Sequence, residues 1–482
     1  MSLATTPPSA TVTPVRIPSL DIIRGLAVLG ILVISIQEFG GFSVAEQNFY
    51  RVGTHGGNYK LLTLISVLFE GKMRALFALV FGAGIILFMQ KKHPVPISGA
   101  DAYIRRQFWL IIFGVVNAFI FLWPGDILFH YGVLGILLFA FWRLSPRALF
   151  IAGLVCTLVF CGKQYWNYSD DKKDYKKYLA VTSLEKKFKA DSLTRARKDS
   201  SDRTMDTILL KDTLRKNKLA DSLAKKNDTL TKKQAGEKGK WEGIVKGLKY
   251  DSASAKAEKK AMRNHHYGKI WDHLLERSQQ RESSWLYRIG IWDIGGMMFL
   301  GMALLGMGFF HRKWAGSKYL IIALVCIAIG FLLAWWRIQQ NNTRLIDYAK
   351  FVEKHSLPYD LFFPIERLLL AIGYASLVLG LLKASVFKWI WQGFAAIGRM
   401  AFTNYILQTL VCTFIFYGYG LGYFGRLQQW ELYFIVIEIA IVQLIFSVLW
   451  QRYYNLGPVE WLWRSLVYRK WLPNKKKTES TV

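Results

Sequence analysis

Cysteine, histidine and acidic side chains are scarce in this 482-residue chain: four Cys, eight His, and 33 Asp and Glu against 63 Lys and Arg. Cys156, Cys161, Cys326 and Cys412 lie in or beside apolar runs without metal-ligand spacing. That excludes a disulfide framework and leaves them as packing residues. His265-His266 with Trp271 and His273 lacks clustered Cys or acidic partners, so no metal site is expected. Gly82-x-Gly84 and the glycines at 295, 296, 301 and 306 follow no strand. A nucleotide-binding loop is therefore excluded, and these glycines read as close contacts between helices. No aromatic-interleaved basic motif accompanies the formal charge of +30, so nucleic acid is not an expected partner. No small-residue cleavage site follows the first apolar run, which reads as an uncleaved span.

What the chain has is apolar length. It is 52% hydrophobic and 15% aromatic, with a positive mean hydropathy of +0.21. That balance is typical of a polytopic membrane protein. Trp109, Trp123, Trp142, Trp285, Trp336, Tyr417 and Trp430 stand at the ends of apolar runs, as interfacial belts require. About ten runs approach the ~20 residues needed to cross the hydrocarbon core: 20–38, 73–90, 107–123, 126–143, 147–162, 286–310, 317–336, 363–384, 400–418 and 430–450. The expected fold is an all-α, polytopic membrane helix bundle with a long polar, partly helical extramembrane insert.

Domains follow from these runs. Residues 1–15 form a mobile tail and 16–162 an N-terminal membrane half of about five spans. Residues 163–285 form the basic insert, 286–470 a C-terminal half with the remaining five, and 471–482 a basic tail. Lys91-Lys92 through Arg106, Arg143, Arg147, His311 to Lys313, Lys383 to Lys388 and Arg464 to Lys477 share one side. The positive-inside rule makes that side cytoplasmic, with both termini inside and residues 163–285 outside. The surplus of positive charge fits anionic headgroups of the lipid bilayer. Asp-Ser-Leu or Asp-Thr-Leu recurs at 191, 212, 221 and 228, with leucines too sparse for a heptad seam, so the insert reads as a solvated arm.

The residues that carry chemistry fall on the two faces. Asp126, after Pro124-Gly125, sits between apolar runs with His130 four residues on. In a helix starting after Pro124 the two share a face, and Asp126 either orients the imidazole as a general base or caps the helix. Glu70, Lys72 and Arg74 form an outer-face polar cluster, with Glu366, Arg367 and Asp293 expected nearby. On the inner side Arg24, Arg399 and Asn404 suit a phosphorylated donor. The bland reading there is an Asp21–Arg24 pair with Arg399 snorkelling among headgroups.

Several ordered motifs carry a family resemblance. They are Ser19-Leu20-Asp21-Ile22-Ile23-Arg24-Gly25-Leu26, Phe69-Glu70-Gly71-Lys72, Phe81-Gly82-Ala83-Gly84, Gly125-Asp126-Ile127-Leu128 with Tyr131, Gly398-Arg399-Met400-Ala401-Phe402-Thr403-Asn404-Tyr405 and Gly457-Pro458-Val459-Glu460-Trp461. Together they resemble the YeiB-like bacterial inner-membrane proteins (domain of unknown function 418), over nearly the whole chain outside the insert. The first span is also similar to the opening of membrane acyltransferases. That likeness implies transfer of an acyl group from a cytoplasmic thioester donor, acyl-CoA, to an envelope glycan or lipid acceptor, with no covalently bound cofactor. Ser35 stands where many membrane acyltransferases carry a catalytic His, and Asn117 where YeiB-like relatives often carry a His before the Gly-Asp motif. The alternatives are a transporter or transport-associated protein, and a scaffold recruiting partners through residues 163–285. The oligomeric state is left open, a homodimer included.

Overall fold

The protein is described here from a computed structural model covering residues 16–41, 56–91, 98–202, 230–249 and 251–476. Among the described residues every regular element is a helix, and the only β feature is an isolated antiparallel bridge between Tyr454 and Lys475. The N-terminal half contains α1 (Pro18–Phe39), α2 (Gly57–Leu68), α3 (Lys72–Met89), α4 (Gly99–Val115), α5 (Leu128–Phe139) and the start of α6 (Pro146–Asp202). The insert adds α7 (Lys232–Gly247), α8 (Ser252–Met262) and α9 (Tyr267–Gln280). Then come α10 (Gly296–Gly306), α11 (Gly316–Ile346), α12 (Tyr348–Lys354), α13 (Phe363–Lys383), α14 (Lys388–Arg399), α15 (Ala401–Phe416), α16 (Gln429–Tyr453) and α17 (Pro458–Tyr468). Two π-helical stretches, Val116–Ile120 and Arg281–Gly295, continue α4 and join α9 to α10.

Each of the ten expected spans contains a helix, and among the described residues eight helices are long and apolar enough to cross a membrane. The other two, α5 and α15, have 12 and 16 residues. At 1.5 Å per residue these reach roughly 18 and 24 Å, short of the ~30 Å hydrocarbon core. The expected span 126–143 is shorter because residues 121–127 are not helical but descend into the bundle. Irregular backbone at depth is tolerated only where protein satisfies it. Here Leu122, Trp123 and Ile127 are buried, and α15 supplies the partners. The Tyr417 hydroxyl donates to the Leu122 carbonyl (3.1 Å), and the Tyr405 hydroxyl accepts from the Ile127 amide (3.2 Å).

Helix ends collect on two faces. At one, Ser19 Oγ donates to the Phe310 carbonyl, Trp463 Nε1 to the Arg106 carbonyl and Lys383 Nζ to the Arg312 carbonyl. At the other, the Gly425 amide donates to Gly40, the Gly418 amide to Met262, and Arg277 pairs with Glu38. We call these the terminal face and the insert face. Between them the helices approach closely, as they must where lipid tails provide no hydrophobic drive. A Cβ on Gly301 would stand 1.9 Å from the Leu79 carbonyl oxygen, one on Gly82 2.0 Å from that of Met298, and one on Gly398 1.7 Å from that of Asp21. Gly84, expected to share this role, faces open space.

The described parts of the insert do more than form a solvated arm. Helix α6 carries the fifth span outward without a break, and α7 and α12 close a small second core against it. Tyr168, Trp241, Tyr348, Phe351 and Val352 are buried there, and Lys240 pairs with Asp174 at 2.6 Å on the rim. The repeat at 191 lies within α6, whereas those at 212, 221 and 228 fall outside the described residues, as do the tail 1–15 and the last six residues. The end of the insert belongs to the bundle. Met262, Ile270 and Leu274 join its main core, and α9 runs through the π-helical stretch into the sixth span.

Candidate functional site, an arginine-lined cavity on the insert face

A cavity of about 550 Å³ opens at the insert face. The end of α1 contributes Ser35 and Glu38, the start of α3 contributes Gly71 and Arg74, and the descending turn contributes Trp123, Pro124 and Gly125. The fourth wall is the junction of α9 with the π-helical stretch, bearing Arg277, Arg281, Trp285 and Arg288. Four arginines thus face one carboxylate, Glu38. A π-helix widens the backbone spiral and often marks functional sites. In this wall the Arg281 guanidinium stacks 3.6 Å from the Trp285 ring centroid, with Arg74 at 5.3 Å from the same ring.

The arginines differ in how far they are neutralised. Arg277 pairs with Glu38 at 2.5 Å and Glu258 at 3.4 Å. Arg74 reaches Asp293 at 3.2 Å, but Asp293 is shared with Arg367, 2.7 Å away and almost fully buried. Among the described residues neither Arg281 nor Arg288 has a carboxylate within 4.0 Å. The cavity therefore presents a net positive field, in low-dielectric surroundings where charges are weakly screened.

Behind its floor lie Asp126 and His130, both fully buried and neither lining the cavity. The expected pairing of the two is not made. Helix α5 begins at Leu128, so Asp126 precedes it instead of sharing a face with His130. Asp126 accepts from the Phe129 amide (2.9 Å), the Asn117 side chain (2.7 Å) and the Tyr405 hydroxyl (3.4 Å), which is capping geometry. His130 turns to the other wall. Its Nε2 is 3.0 Å from the Arg281 carbonyl, an acceptor, so Nε2 carries the proton; Nδ1 faces Glu282 at 3.7 Å. Trp285 packs edge-on against the imidazole at 5.0 Å, between it and the cavity arginines. Ser35 lines the cavity and Asn117 holds Asp126. The two positions at which the resemblances lead one to expect His thus flank one turn.

The outer-face cluster divides in two. Lys72, with no exposed surface, pairs with Glu366 at 2.6 Å and donates to the Ser66 carbonyl at 2.8 Å. Arg337 bridges Glu366 (2.8 Å) and Glu70 (3.2 Å), so two cations meet two carboxylates. Arg74 belongs instead to the Asp293–Arg367 group. Gly71 has the left-handed φ of +74°, and a Cβ there would sit 2.3 Å from Arg367 Cδ. That is the local reason the Glu70-Gly71-Lys72 step takes glycine.

The three donor-site residues do not converge. Arg24 pairs with Asp21 (3.3 Å), which Arg16 also holds (2.6 Å). Arg399 donates to Gln451 and lines a separate groove on the terminal face. Asn404 is buried between helices, donating to Ser447 Oγ (3.0 Å) and the Ile397 carbonyl (3.2 Å). Glu460 accepts the Phe402 and Thr403 amides at the start of α15 (2.7 and 3.1 Å), and burial pushes its carboxyl above the ordinary range. Sequence reading singled out neither Arg281 nor Glu282, and it took Arg337 for the start of a loop. A cation four residues past Leu333 in a run that stays helical to Ile346 was the available signal.

The fold and this site define a polytopic α-helical membrane protein with a positively charged pocket at one face. Residues 304–470 match the family model described as "Protein of unknown function (DUF418)". Over 477 residues the chain is 26% identical to "Uncharacterized protein YxaH" of Bacillus subtilis (strain 168), covering 97% of this chain and 98% of that one. It is 28% identical over 479 residues to "Uncharacterized protein YeiB" of Escherichia coli (strain K12), covering 95% and 98%. A stretch of 112 residues is 34% identical to the "Uncharacterized 39.9 kDa protein in amylase 3'region" of Bacillus acidopullulyticus, 23% of this chain and 32% of that one. No solved structure matches. The chain is thus similar to the YeiB and YxaH proteins over nearly its whole length, and to the DUF418 family model over residues 304–470.

Proposed function

We propose that the protein is an acyltransferase-like membrane protein of the bacterial inner membrane, modifying an anionic envelope lipid or glycan held in the insert-face cavity. The observation that carries the acceptor is the cavity itself, in which Arg74, Arg277, Arg281 and Arg288 face the single carboxylate of Glu38. Arginine's planar fork suits phosphate and carboxylate groups. Positive-inside orientation puts this face outside. The reaction class rests on the likeness of the first span to membrane acyltransferases, with acyl-CoA as the cytoplasmic donor. In this reading Asp126 holds the turn that forms the floor. His130 with Glu282 is the nearest pair able to take a proton from an acceptor hydroxyl, once Trp285 moves aside.

The test is mass spectrometry of envelope lipids and glycans from a deletion strain carrying wild-type, Arg281→Gln or His130→Ala protein. An acylated species lost on deletion, restored by wild type and by neither variant, supports the reading. An unchanged envelope in the deletion strain refutes it.

A transport-associated role is the second reading. It is favoured by the interrupted helix before α5 and by the ion pairs Lys72–Glu366 and Asp293–Arg367 within apolar segments. Anion uptake by proteoliposomes, with the envelope unaltered, would select it.

A further inference from the structure

On the terminal face, far along the bundle from the cavity just described, α14 lies against α16 and leaves a groove of about 1230 Å³. That exceeds the size of ordinary small-molecule sites. Its apolar wall is a stripe on α16: Ile437, Ile441, Leu444 and Val448. The spacing of four, three and four residues keeps all of them on one helical face. They are 54%, 51%, 37% and 37% exposed, so the protein itself leaves this face open. Gly393 of α14 deepens the groove, since a Cβ there would touch Leu444 at 2.8 Å.

The length of the stripe is informative. Eleven residues at 1.5 Å span roughly 16 Å, about half of a ~30 Å hydrocarbon core, so the wall is one leaflet deep. Beyond Val448 the chemistry changes within one turn. Arg452, Arg399 and Lys476 gather there around Gln451, Lys388 and Arg312 also line the groove, and among the described residues no Asp or Glu does. Gln451 organises two of these cations. Its side-chain carbonyl accepts from Arg399 Nε, its amide donates to the Ala396 carbonyl (2.6 Å), and its backbone carbonyl accepts from Lys476 Nζ (2.6 Å). Isolated snorkelling would scatter cations around the helix ends. Here three cations, Arg399 of α14, Arg452 of α16 and Lys476 of the C-terminal segment, meet at the head of one apolar slot, which is how membrane proteins hold anionic headgroups.

We infer that this groove is a binding site for an anionic phospholipid of the leaflet on the terminal face. The acyl chains lie along Ile437 to Val448 and the phosphate lies among Arg399, Arg452 and Lys476. The site rests on residues separate from the insert-face cavity and stands whether or not acyl transfer occurs there.

The test uses the purified full-length protein and native mass spectrometry with phosphatidylglycerol and phosphatidylethanolamine of identical chains. Wild type should retain phosphatidylglycerol at least several-fold better. Two variants divide the site: Arg452→Gln/Lys476→Gln should bring the two lipids to equal retention, and Ile441→Trp should weaken both. Unchanged lipid-free melting temperatures establish that each variant is folded. Equal retention by wild type would overturn the assignment. So would displacement of phosphatidylglycerol by inorganic phosphate or glycerophosphate at matched concentration, which would make this a site for soluble anions.

Discussion

The guanidinium of Arg281 lies 3.6 Å from the ring centroid of Trp285, and the far edge of that ring closes off His130. A cation needed at the cavity wall thus also holds the side chain that separates a buried imidazole from the cavity. A desolvated cation–π contact of this kind contributes up to about 2 kcal/mol. An anion that draws Arg281 away would release the ring.

His130 should therefore be protected in the wild type, where it has no exposed surface. Trp285→Ala should make it accessible, and diethylpyrocarbonate labelling read by peptide mass spectrometry should show His130 modified at least tenfold faster. Equal rates in the two proteins would show that Trp285 does not seal the imidazole.

Glu366→Gln should be among the most damaging single changes. It leaves Lys72 and Arg337, both buried, with only Glu70, whose side chain is 43% exposed. Removing one partner of a buried pair costs about 3–5 kcal/mol. Glu70→Gln should cost roughly 1 kcal/mol by comparison. Melting curves of the purified protein in detergent rank the two.

Asp126 separates structural from catalytic roles. Asp126→Ala orphans the Asn117 amide, the Phe129 amide and the Tyr405 hydroxyl, and should destabilise by about 1–3 kcal/mol. Asp126→Asn keeps an oxygen cap and should melt within about 1 kcal/mol of wild type. If the Asn variant melts normally yet loses function in the envelope assay, the carboxylate acts in the chemistry as well as in the turn.

Two alanine substitutions test helix approach. Gly398→Ala places a Cβ 1.7 Å from the Asp21 carbonyl oxygen and forces α1 and α14 apart, whereas Gly84→Ala meets nothing within 4 Å. The first should cost at least 1–3 kcal/mol through overpacking and the second should stay within about 0.5 kcal/mol. Thermal melting compares them directly.

In the insert, Trp241→Ala removes the ring stacked on Tyr348 at 5.4 Å and hollows the small core. Limited proteolysis should then cut near 230–249 while cleavage within the bundle is unchanged. A large-to-small change of this kind costs about 3–5 kcal/mol, more than so small a core can absorb.

How much of this was legible beforehand varies with the range of the interaction. The apolar run 317–336 announces a span because hydrophobic length is local. The family motifs marked Gly71, Asp126 and Glu460 without saying what each touches. Asp126 and His130 were read as one helical face because their spacing permits it. The turn at 121–127 contradicts that, and it exists only because Tyr405 and Tyr417, nearly 300 residues on, satisfy its backbone. Arg337 looked like a loop residue until the helix was seen to continue to Ile346.

The sequence by itself therefore determined that this is an all-helical membrane protein, where its spans lie and which proteins it resembles, since each depends on local hydrophobicity or on ordered motifs. Only the tertiary structure decided which charges neutralise one another. Lys72 finds Glu366 and Arg367 finds Asp293 across helices distant in sequence. An unpaired charge in an apolar interior is too costly to remain, so partners are set by packing and not by spacing. The same packing left Arg281 and Arg288 without carboxylates at the mouth of the insert-face cavity.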